Sequence, residues 1–347
     1  MTSSTRRILV ISPCRDEAAY MRRTIESVAA QTLAPTLWVV VDDGSTDETP
    51  RILREYAGKF NFLKVIRRED RGRRAVGPGV IEAFYAGLEQ VHIEDFDYIC
   101  KLDLDLELPA RYFETLVERM EADPRVGTCS GKAYFPHPQT KELISEGCGD
   151  ETSLGMTKFY RVPCFQQIGG FVRQVMWDGI DNHRCRMMGW KACSWSDPEL
   201  RFVHLRPMGS SQQSIWSGRK RHGFGQYFMG TSPLYMIGSA VNRALHRPYL
   251  VGGAGMLVGY FGAMLRRAPR YEDEEFRRFL RRFQLRCILV GKREAVRRTD
   301  QEAMKRVPLQ ALYQSQKDRC ERTGHRARER VEPIAMGRNT ECLRASH

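Results

Sequence analysis

The fold is decided by one stretch, Leu37-Trp38-Val39-Val40-Val41-Asp42-Asp43-Gly44-Ser45-Thr46-Asp47. Its five consecutive apolar residues predict a strand that is buried along its whole length, and the polar turn that follows ends this strand. Thr46 or Asp47 is suited to cap the next helix, which carries Ile52, Leu53 and Tyr56. A fully buried strand followed at once by a helix is typical of a mainly parallel sheet with helices on both faces.

The same alternation of strands and helices extends in both directions from this stretch. Further strands are predicted at 8–11, 63–66, 98–102, 126–129, 191–195 and 200–204, and helices ending near 31 and at 80–91, 110–120 and 180–188. The pattern is irregular between about 131 and 180. We therefore expect an α/β domain of the Rossmann-like type over residues 1–209.

Beyond residue 209 the composition changes, and we expect a helical, membrane-proximal region over 210–298. Residues 249–265 are uncharged, but a helix of this length spans about 25 Å, less than the roughly 30 Å of a hydrocarbon core. This segment is therefore either interfacial or a buried helical hairpin. Phe and Arg residues between 276 and 283 predict an amphipathic helix, which lies on anionic lipid or packs by its Phe side. Residues 299–347 are expected to be a weakly structured, charged tail.

Composition restricts the class of protein further. The 347 residues include 55 Lys and Arg against 42 Asp and Glu, a net charge of +13, which favours an anionic partner such as a nucleotide, a nucleic acid or an acidic membrane surface. The ten cysteines show no C-x-x-C spacing, which indicates reduced thiols in the cytoplasm rather than a zinc or redox site. A polar start that leads directly into a strand leaves no room for a signal peptide.

Carboxylates follow three of the predicted strands. Because the carboxyl ends of parallel strands share one edge, Asp16 and Glu17, Asp42 and Asp43, and Asp103 and Asp105 are expected to form one rim. Such a rim requires a cation or hydrogen-bond donors, although ordinary turn chemistry explains any single pair. The two carboxylates of an Asp-x-Asp point to the same side of the chain. They are suited to hold Mg²⁺ or Mn²⁺ against substrate phosphates.

Together these motifs resemble those of family 2 glycosyltransferases with the GT-A fold. The resemblance rests on Ser12 to Glu17, on Val41 to Asp47 and on Leu102 to Asp105. It continues through Gly169-Gly170-Phe171 and the segment from Trp177 to Asp181, and covers residues 6–207. It implies an inverting enzyme that uses a nucleotide-sugar donor, linked to UDP, GDP or dTDP, and a divalent cation.

The resemblance also implies roles for individual residues. Asp105, Asp103 and His204 are assigned to the metal, although a lone histidine is also a common structural hydrogen-bond partner. Arg219 and Arg221 lie in a basic run that either stabilises the departing diphosphate or is simply solvated. The residues assigned to the nucleotide sugar are Pro13, Asp16, Glu17, Asp42, Asp43, Arg73, Asp103, Arg219 and Arg221.

In this family an Asp serves as general base and deprotonates the acceptor hydroxyl. Counting back from Gly189, Asp178 takes that position, with Trp177 in place of the family's preceding Glu. Asp181 is the alternative base, or else a first-turn acid favoured by the helix dipole.

The Gln-x-x-Arg-Trp string of processive synthases is absent, so single-sugar transfer is expected, to a lipid-linked or polysaccharide acceptor at the inner face of a bacterial cell membrane. The competing classes are a sugar nucleotidyltransferase, a non-catalytic nucleotide-binding protein and a basic nucleic-acid-binding protein. Residues 12–17 contain no glycine, unlike the Gly-rich loop of a nucleotidyltransferase, and no G-x-G-x-x-G of a dinucleotide site follows a strand. A carboxylate rim also disfavours nucleic acid, and none is expected as a partner.

Overall fold

A computed structural model describes residues 6–72, 77–137, 139–206, 214–245 and 249–313. Strands and helices alternate as predicted through the first part of the chain, where continuous apolar runs form the strands. The elements of this part are β1 (Ile8–Cys14), α1 (Met21–Ala29), β2 (Leu37–Asp42), α2 (Thr49–Ala57), β3 (Leu63–Arg67), α3 (Pro78–Leu88), β4 (Tyr98–Leu102), β5 (Leu106–Glu107), α4 (Tyr112–Ala122) and β6 (Val126–Ser130).

The following part contains elements that the irregular pattern did not predict, namely β7, β8, β9 and α5. The bounds here are β7 (Lys132–Pro136), β8 (Leu143–Ser145), β9 (Thr157–Arg161), α5 (Val162–Gln167), α6 (Trp177–Met187), β10 (Lys191–Ser194) and β11 (Arg201–His204). Beyond them lie α7 (Ile215–Met229), α8 (Pro233–Ala244), α9 (Val251–Leu265), α10 (Glu274–Val290) and α11 (Lys292–Arg306). The predicted boundary at 209 falls outside the described residues.

The central sheet has seven strands in the order β10-β6-β9-β4-β1-β2-β3. All described neighbours are parallel except β9, which runs antiparallel to both β4 and β6. Apolar residues fill both faces, so the sheet separates two cores, one behind α1, α2 and α4 and one behind α3, α5 and α6. A second sheet, β5-β11-β7-β8, extends the edge on which the candidate site lies. The mixed α/β architecture with a mainly parallel sheet is thus confirmed.

The C-terminal region is helical, as predicted. The structure also decides between the two alternatives for α10 and corrects the expectation for the tail. On α10, Phe276, Leu280 and Phe283 are buried, and the first two pack with Ile180 of α6. The alternative of a basic helix packed by its Phe side is therefore confirmed for α10. The expectation of a weakly structured tail from residue 299 is wrong for its first part, because α11 continues to Arg306 and is followed by ordered chain to residue 313.

Residues 307–313 return to the α/β domain. The Arg125 guanidinium donates to the carbonyl of Val307 at 2.8 Å, and the Tyr313 hydroxyl donates to the carbonyl of Pro124 at 2.7 Å. The Tyr313 ring meets Trp190 edge-on, with 5.5 Å between ring centroids. The end of the described chain is therefore fastened to the α/β domain.

The uncharged segment 249–265 corresponds largely to α9, and its glycines explain how α9 packs. A Cβ added at Gly259 would lie 2.0 Å from the carbonyl oxygen of Lys220, and one at Gly223 would lie 2.0 Å from that of Met256. These glycines allow the backbones of α7 and α9 to approach closely, so one side of α9 is buried in protein. Among the described residues, no helix is both long and apolar enough to cross a membrane.

Candidate functional site

The candidate site begins at the carboxyl ends of β1 and β2. Parallel pairing places Pro13 beside Val41 and Cys14 beside Asp42, so the two polar turns leave the sheet side by side. The Asp42 carboxylate is 1% exposed and accepts a hydrogen bond from the Ser45 amide at 2.8 Å. Its second oxygen has no hydrogen bond from any described group and lies 3.7 Å from Arg67. Asp42 therefore keeps a free acceptor position at the predicted rim.

Asp16 and Asp43 shape these turns instead of standing free. Asp16 adopts a left-handed backbone, with φ of 54°, and its carboxylate accepts the Thr46 amide at 2.9 Å. Asp43 is buried and forms ion pairs with Arg68 and Arg71. Asp16 therefore links the loop after β1 to the loop after β2, and Asp43 links the loop after β2 to the loop after β3. Arg73 lies outside the described residues.

The third carboxylate pair, Asp103 and Asp105, follows β4. Asp103 stays about one-third exposed and pairs with Lys101. Asp105 is buried, and its Oδ2 accepts two hydrogen bonds from Arg206 at 2.9 and 2.7 Å. Burial would raise the pKa of Asp105, but His204 and Arg206 lower it below its usual value. Asp105 is therefore ionised at neutral pH, and its Oδ1 is buried without a hydrogen-bond partner among the described groups.

Arg206 connects two parts of the rim that are far apart in sequence. The same guanidinium that pairs with Asp105 reaches Glu17 at 3.0 Å. Sequence analysis did not assign Arg206 to the site, although a signal was present. His204 ends β11 and Arg206 follows two residues later, so the period of two in extended chain directs both side chains toward one side.

His204 lies between two carboxylates. Its Nδ1 is 2.9 Å from Glu146 and its Nε2 is 3.6 Å from Asp105. Burial would lower the pKa of His204, but the hydrogen bonds to Asp105 and Glu146 raise it to about 9. His204 is thus a cation at neutral pH in this arrangement. Glu146 lies in the loop after β8, and no sequence signal pointed to it.

The described residues contain no cluster of three or more His, Cys, Asp or Glu side chains arranged around a metal position. The fit to a divalent cation instead rests on the unpartnered Oδ1 of Asp105 beside the partly exposed Asp103. Both are hard carboxylate oxygens, which Mg²⁺ and Mn²⁺ prefer. All eight described cysteines are free thiols.

Asp178 lies in the first turn of α6, across a short loop from Asp103. A Cβ placed on Gly155 would be 3.0 Å from the Asp178 carboxylate, and the carbonyl of the next residue, Met156, accepts the Asp103 amide at 2.8 Å. Met176, which precedes the helix, has a left-handed φ of 66°, a strained geometry for this residue type. The strained turn thus presents Asp178 toward the Asp-x-Asp rim.

Asp181 has a different environment, although it lies only one helical turn further on. It is 1% exposed, and its two oxygens pair with Lys158, which is itself fully buried, and with the Tyr160 hydroxyl. Burial raises the pKa of Asp181 to about 6 against the opposing effect of Lys158. The Lys158 ammonium also donates to the backbone carbonyl of Asp178 at 3.0 Å. Asp181 is therefore part of the support beneath Asp178.

The two arginines predicted to face the diphosphate point in different directions on α7. Burial lowers the pKa of Arg221, and the charge of Asp178 opposes this effect, so Arg221 lies within electrostatic reach of Asp178. Burial also lowers the pKa of Arg219, and the nearby Arg243 of α8 lowers it further. Arg219 thus faces the helical region, and the structure does not bring the two cations together.

Trp177, which precedes Asp178, is buried. Its ring packs against Phe171 at 4.7 Å between centroids, and the ammonium groups of Lys101 and Lys158 lie 5.4 and 5.8 Å from it. Trp177 therefore anchors the start of α6 to the strands that carry the two lysines.

Residues 9–167 match the family model described as Glycosyl transferase family 2. The chain is 42% identical over 116 residues to EpsH of Bacillus subtilis, covering 33% of this chain and 31% of that protein. It is 30% identical over 240 residues to Glycosyltransferase GlyA of Streptococcus pneumoniae, covering 62% of this chain and 33% of that protein. Each match thus spans about a third of the relative's length.

Among solved structures, GalNAc-T7 with UDP, GalNAc and Mn²⁺ resembles this fold with a TM-score of 0.53 at 17% identity. The alignment covers 80% of this chain and 56% of that chain.

Proposed function

We propose that this protein, whose residues 9–167 match the family 2 glycosyltransferase model, transfers a single sugar from a nucleotide-sugar donor with inversion at the anomeric carbon. The observation that carries this proposal is the placement of Asp178 beside the Asp103–Asp105 rim, across Gly155 and Met156. An inverting displacement requires a base and a leaving-group site on opposite sides of one carbon atom, and the loop of Gly155 and Met156 adjoins both Asp178 and Asp103.

The donor is proposed to bind along the rim, with its base and ribose at Pro13, Glu17 and Asp42. The acceptor position left open on Asp42 suits a hydrogen-bond donor of the nucleoside. UDP-, GDP- and dTDP-linked sugars all contain a hydrogen-bond donor of this kind. The site therefore supports nucleotide sugars as the donor class, and an experiment has to identify the nucleotide.

The divalent cation is proposed to be held by Asp103, Asp105 and, once it has lost its proton, His204. When bound, the ion offsets the negative charge of the diphosphate. The raised pKa of His204 implies that loading releases a proton, since a charged imidazole cannot act as a ligand. Arg206 neutralises Asp105 and Glu17 in this structure and remains close enough to contribute positive charge beside the diphosphate.

In the proposed reaction, the acceptor oxygen forms a bond to the anomeric carbon as the bond from that carbon to the diphosphate breaks. The acceptor proton passes to the Asp178 carboxylate, and the nucleoside diphosphate departs with the bonding electron pair. Lys158 and Asn182 hold the Asp178 backbone carbonyl, at 3.0 and 2.6 Å, and thereby fix the position of the base. Arg221 lies within electrostatic reach of Asp178.

The acceptor is proposed to be a lipid-linked or polysaccharide intermediate at the cytoplasmic face of a bacterial membrane, with the helical region facing that membrane. Its support is the net charge of +13 and the helical region that follows the catalytic domain.

A panel of nucleotide sugars tests the proposal most directly, with donor hydrolysis measured with Mn²⁺, with Mg²⁺ and with a chelator. We expect one donor class to be hydrolysed slowly without acceptor and only with a divalent cation. Asp178→Asn serves as the matched control, since it should still bind the donor. If no nucleotide sugar is bound or hydrolysed under any of these conditions, the proposed function is wrong.

A further inference from the structure

The outer side of α8 carries a row of exposed apolar residues. Leu234, Ile237, Val241 and Leu245 are 64%, 44%, 58% and 69% exposed, and their spacing of three or four residues places them on one face of the helix. The opposite side of α8 is buried through Met236 and Ala240 against α9. A row of exposed apolar side chains of this length is unusual on a helix that faces water.

Exposed apolar residues continue onto α9 and the turn before it. Tyr249, Leu250 and Val251 are 61%, 73% and 45% exposed, and Val258 is 48% exposed about two turns further along α9. Leu250 adopts φ of 59° and ψ of −48°, a backbone geometry that is costly for leucine. We call these eight residues the hairpin face: Leu234, Ile237, Val241, Leu245, Tyr249, Leu250, Val251 and Val258.

The stretch of sequence that carries the hairpin face contains charged residues of one sign only. Between Glu199 and Glu272 the sequence contains no Asp or Glu, but it contains ten Lys and Arg residues. Arg266 and Arg267 are exposed at the end of α9, and Arg270 is exposed shortly after them. A second copy of this chain would bring like charges together on this face, whereas an anionic surface complements it.

We infer that the hairpin face docks on a bilayer surface that contains anionic lipid, with its apolar side chains in the headgroup region and the arginines beside lipid phosphates. Contact is interfacial because α9, at 15 residues, is about 22 Å long, shorter than a hydrocarbon core. Apolar burial combined with basic flanks is the arrangement by which helices lie in an interface. This inference rests on the membrane contact in the proposed function and assigns it to a surface.

The hairpin face is a different docking surface from the amphipathic helix α10, for which the sequence suggested contact with lipid. The basic helix α10 has its Phe side buried against the α/β domain, so that side is not available to lipid. The hairpin face is an exposed apolar surface of the same helical region, and its two helices, α8 and α9, contain no carboxylate.

Flotation of the full chain with vesicles tests the inference, using phosphatidylcholine alone and with 30% phosphatidylglycerol. We expect the wild type to float with the anionic vesicles and at least tenfold less with the neutral ones. The double variant Val241→Asp/Leu245→Asp should bind anionic vesicles at least tenfold more weakly. Leu143→Asp is the matched control, since Leu143 is 49% exposed on β8 of the other sheet, and it should bind as the wild type does.

A second variant tests the electrostatic part. Arg266→Gln/Arg267→Gln should weaken binding to anionic vesicles by roughly fivefold for each arginine and leave binding to neutral vesicles unchanged. All variants should retain the wild-type melting temperature and basal donor hydrolysis, because the substituted side chains are exposed and lie outside the rim.

The outcomes separate the surface from the function. If the Val241→Asp/Leu245→Asp variant floats like the wild type, the hairpin face is not the docking surface. If the wild type does not bind anionic vesicles, the proposed membrane contact is wrong. The same conclusion follows if the wild type forms a dimer that the Val241→Asp/Leu245→Asp substitution abolishes. In both cases donor hydrolysis still tests the proposed enzyme activity independently. If vesicles bind normally but no donor is hydrolysed, the proposed function fails and the docking surface stands.

Discussion

The two aspartates of α6 give the sharpest test of the site, because their environments predict opposite consequences for the same substitution. Asp178→Asn removes a carboxylate that is not fully buried, at the start of a helix, and we expect little change in stability. If Asp178 is the base, transfer should fall by about 10² to 10⁴. Asp181→Asn instead removes the counter-charge of Lys158, whose side chain is completely buried.

The size of the Asp181 effect follows from this burial. Removing one partner of a buried ion pair typically costs about 3–5 kcal/mol, because the remaining charge is left without compensation. For an unfolding unit of this size, 1 kcal/mol shifts the melting temperature by roughly 2–4 °C, so Asp181→Asn should melt about 10 °C lower. Its remaining folded fraction should transfer sugar far faster than Asp178→Asn does.

The assay therefore combines a thermal melt with single-turnover transfer at a temperature well below both transitions. The double variant Lys158→Met/Asp181→Leu is the control, since it removes both buried charges and should recover part of the lost stability. If Asp181→Asn keeps the wild-type melting temperature and abolishes transfer, while Asp178→Asn transfers normally, Asp181 is the base. If neither substitution slows transfer, the base lies elsewhere.

Three further predictions concern the metal, the pH and helix packing. Asp105→Asn should abolish Mn²⁺-dependent donor binding in calorimetric titration, and it should also lower the melting temperature, because Arg206 loses a buried partner; unchanged Mn²⁺ affinity would remove Asp105 from the metal site. Burial beside aromatic rings lowers the pKa of His183 to about 3, so the unfolded chain binds a proton more readily below pH 6.5. Stability should therefore fall between about pH 6.5 and 3, by roughly 2 kcal/mol at pH 5, and His183→Leu should flatten this dependence in melts. Gly259→Leu should separate α7 from α9 and lower stability by about 3 kcal/mol or more in denaturant unfolding, whereas Gly238→Ala, at a position with open space, should not.

The sequence predicted the parallel strands of the central sheet, because most of them contain several apolar residues in a row, such as Ile8-Leu9-Val10-Ile11 in β1 and Leu37-Trp38-Val39-Val40-Val41 in β2. It missed β9, Thr157–Arg161, although all five residues of this strand are buried. Two of the five are charged, and they are compensated by groups far away in sequence, such as Asp181 for Lys158. A local pattern cannot indicate that a lysine will be buried when its partner is supplied by a later helix.

The candidate site likewise contains residues that the sequence predicted and residues that it missed. The carboxylates at the strand ends were predictable, because strand order and a turn motif place them at one edge. Arg206 and Glu146 were missed, since their roles depend on the second sheet bringing β11 and the loop after β8 to that edge. The amphipathic pattern of α10 was detected correctly, but the sequence alone does not distinguish a lipid surface from a protein surface as the partner of its Phe side.

The return of residues 307–313 to the α/β domain has a consequence for the order of biosynthesis. The contacts from Arg125 to Val307 and from Tyr313 to Pro124 join residues 182 and 189 positions apart. At a translation rate of about 5–20 residues per second, the strands around β6 emerge from the ribosome roughly 10–40 s before the segment that covers them. Trp190 precedes Tyr313 by roughly 6–25 s at the same rate, and until then it lacks the ring that packs against it. Folding of the α/β domain therefore cannot be completed until nearly all of the helical region has been synthesised.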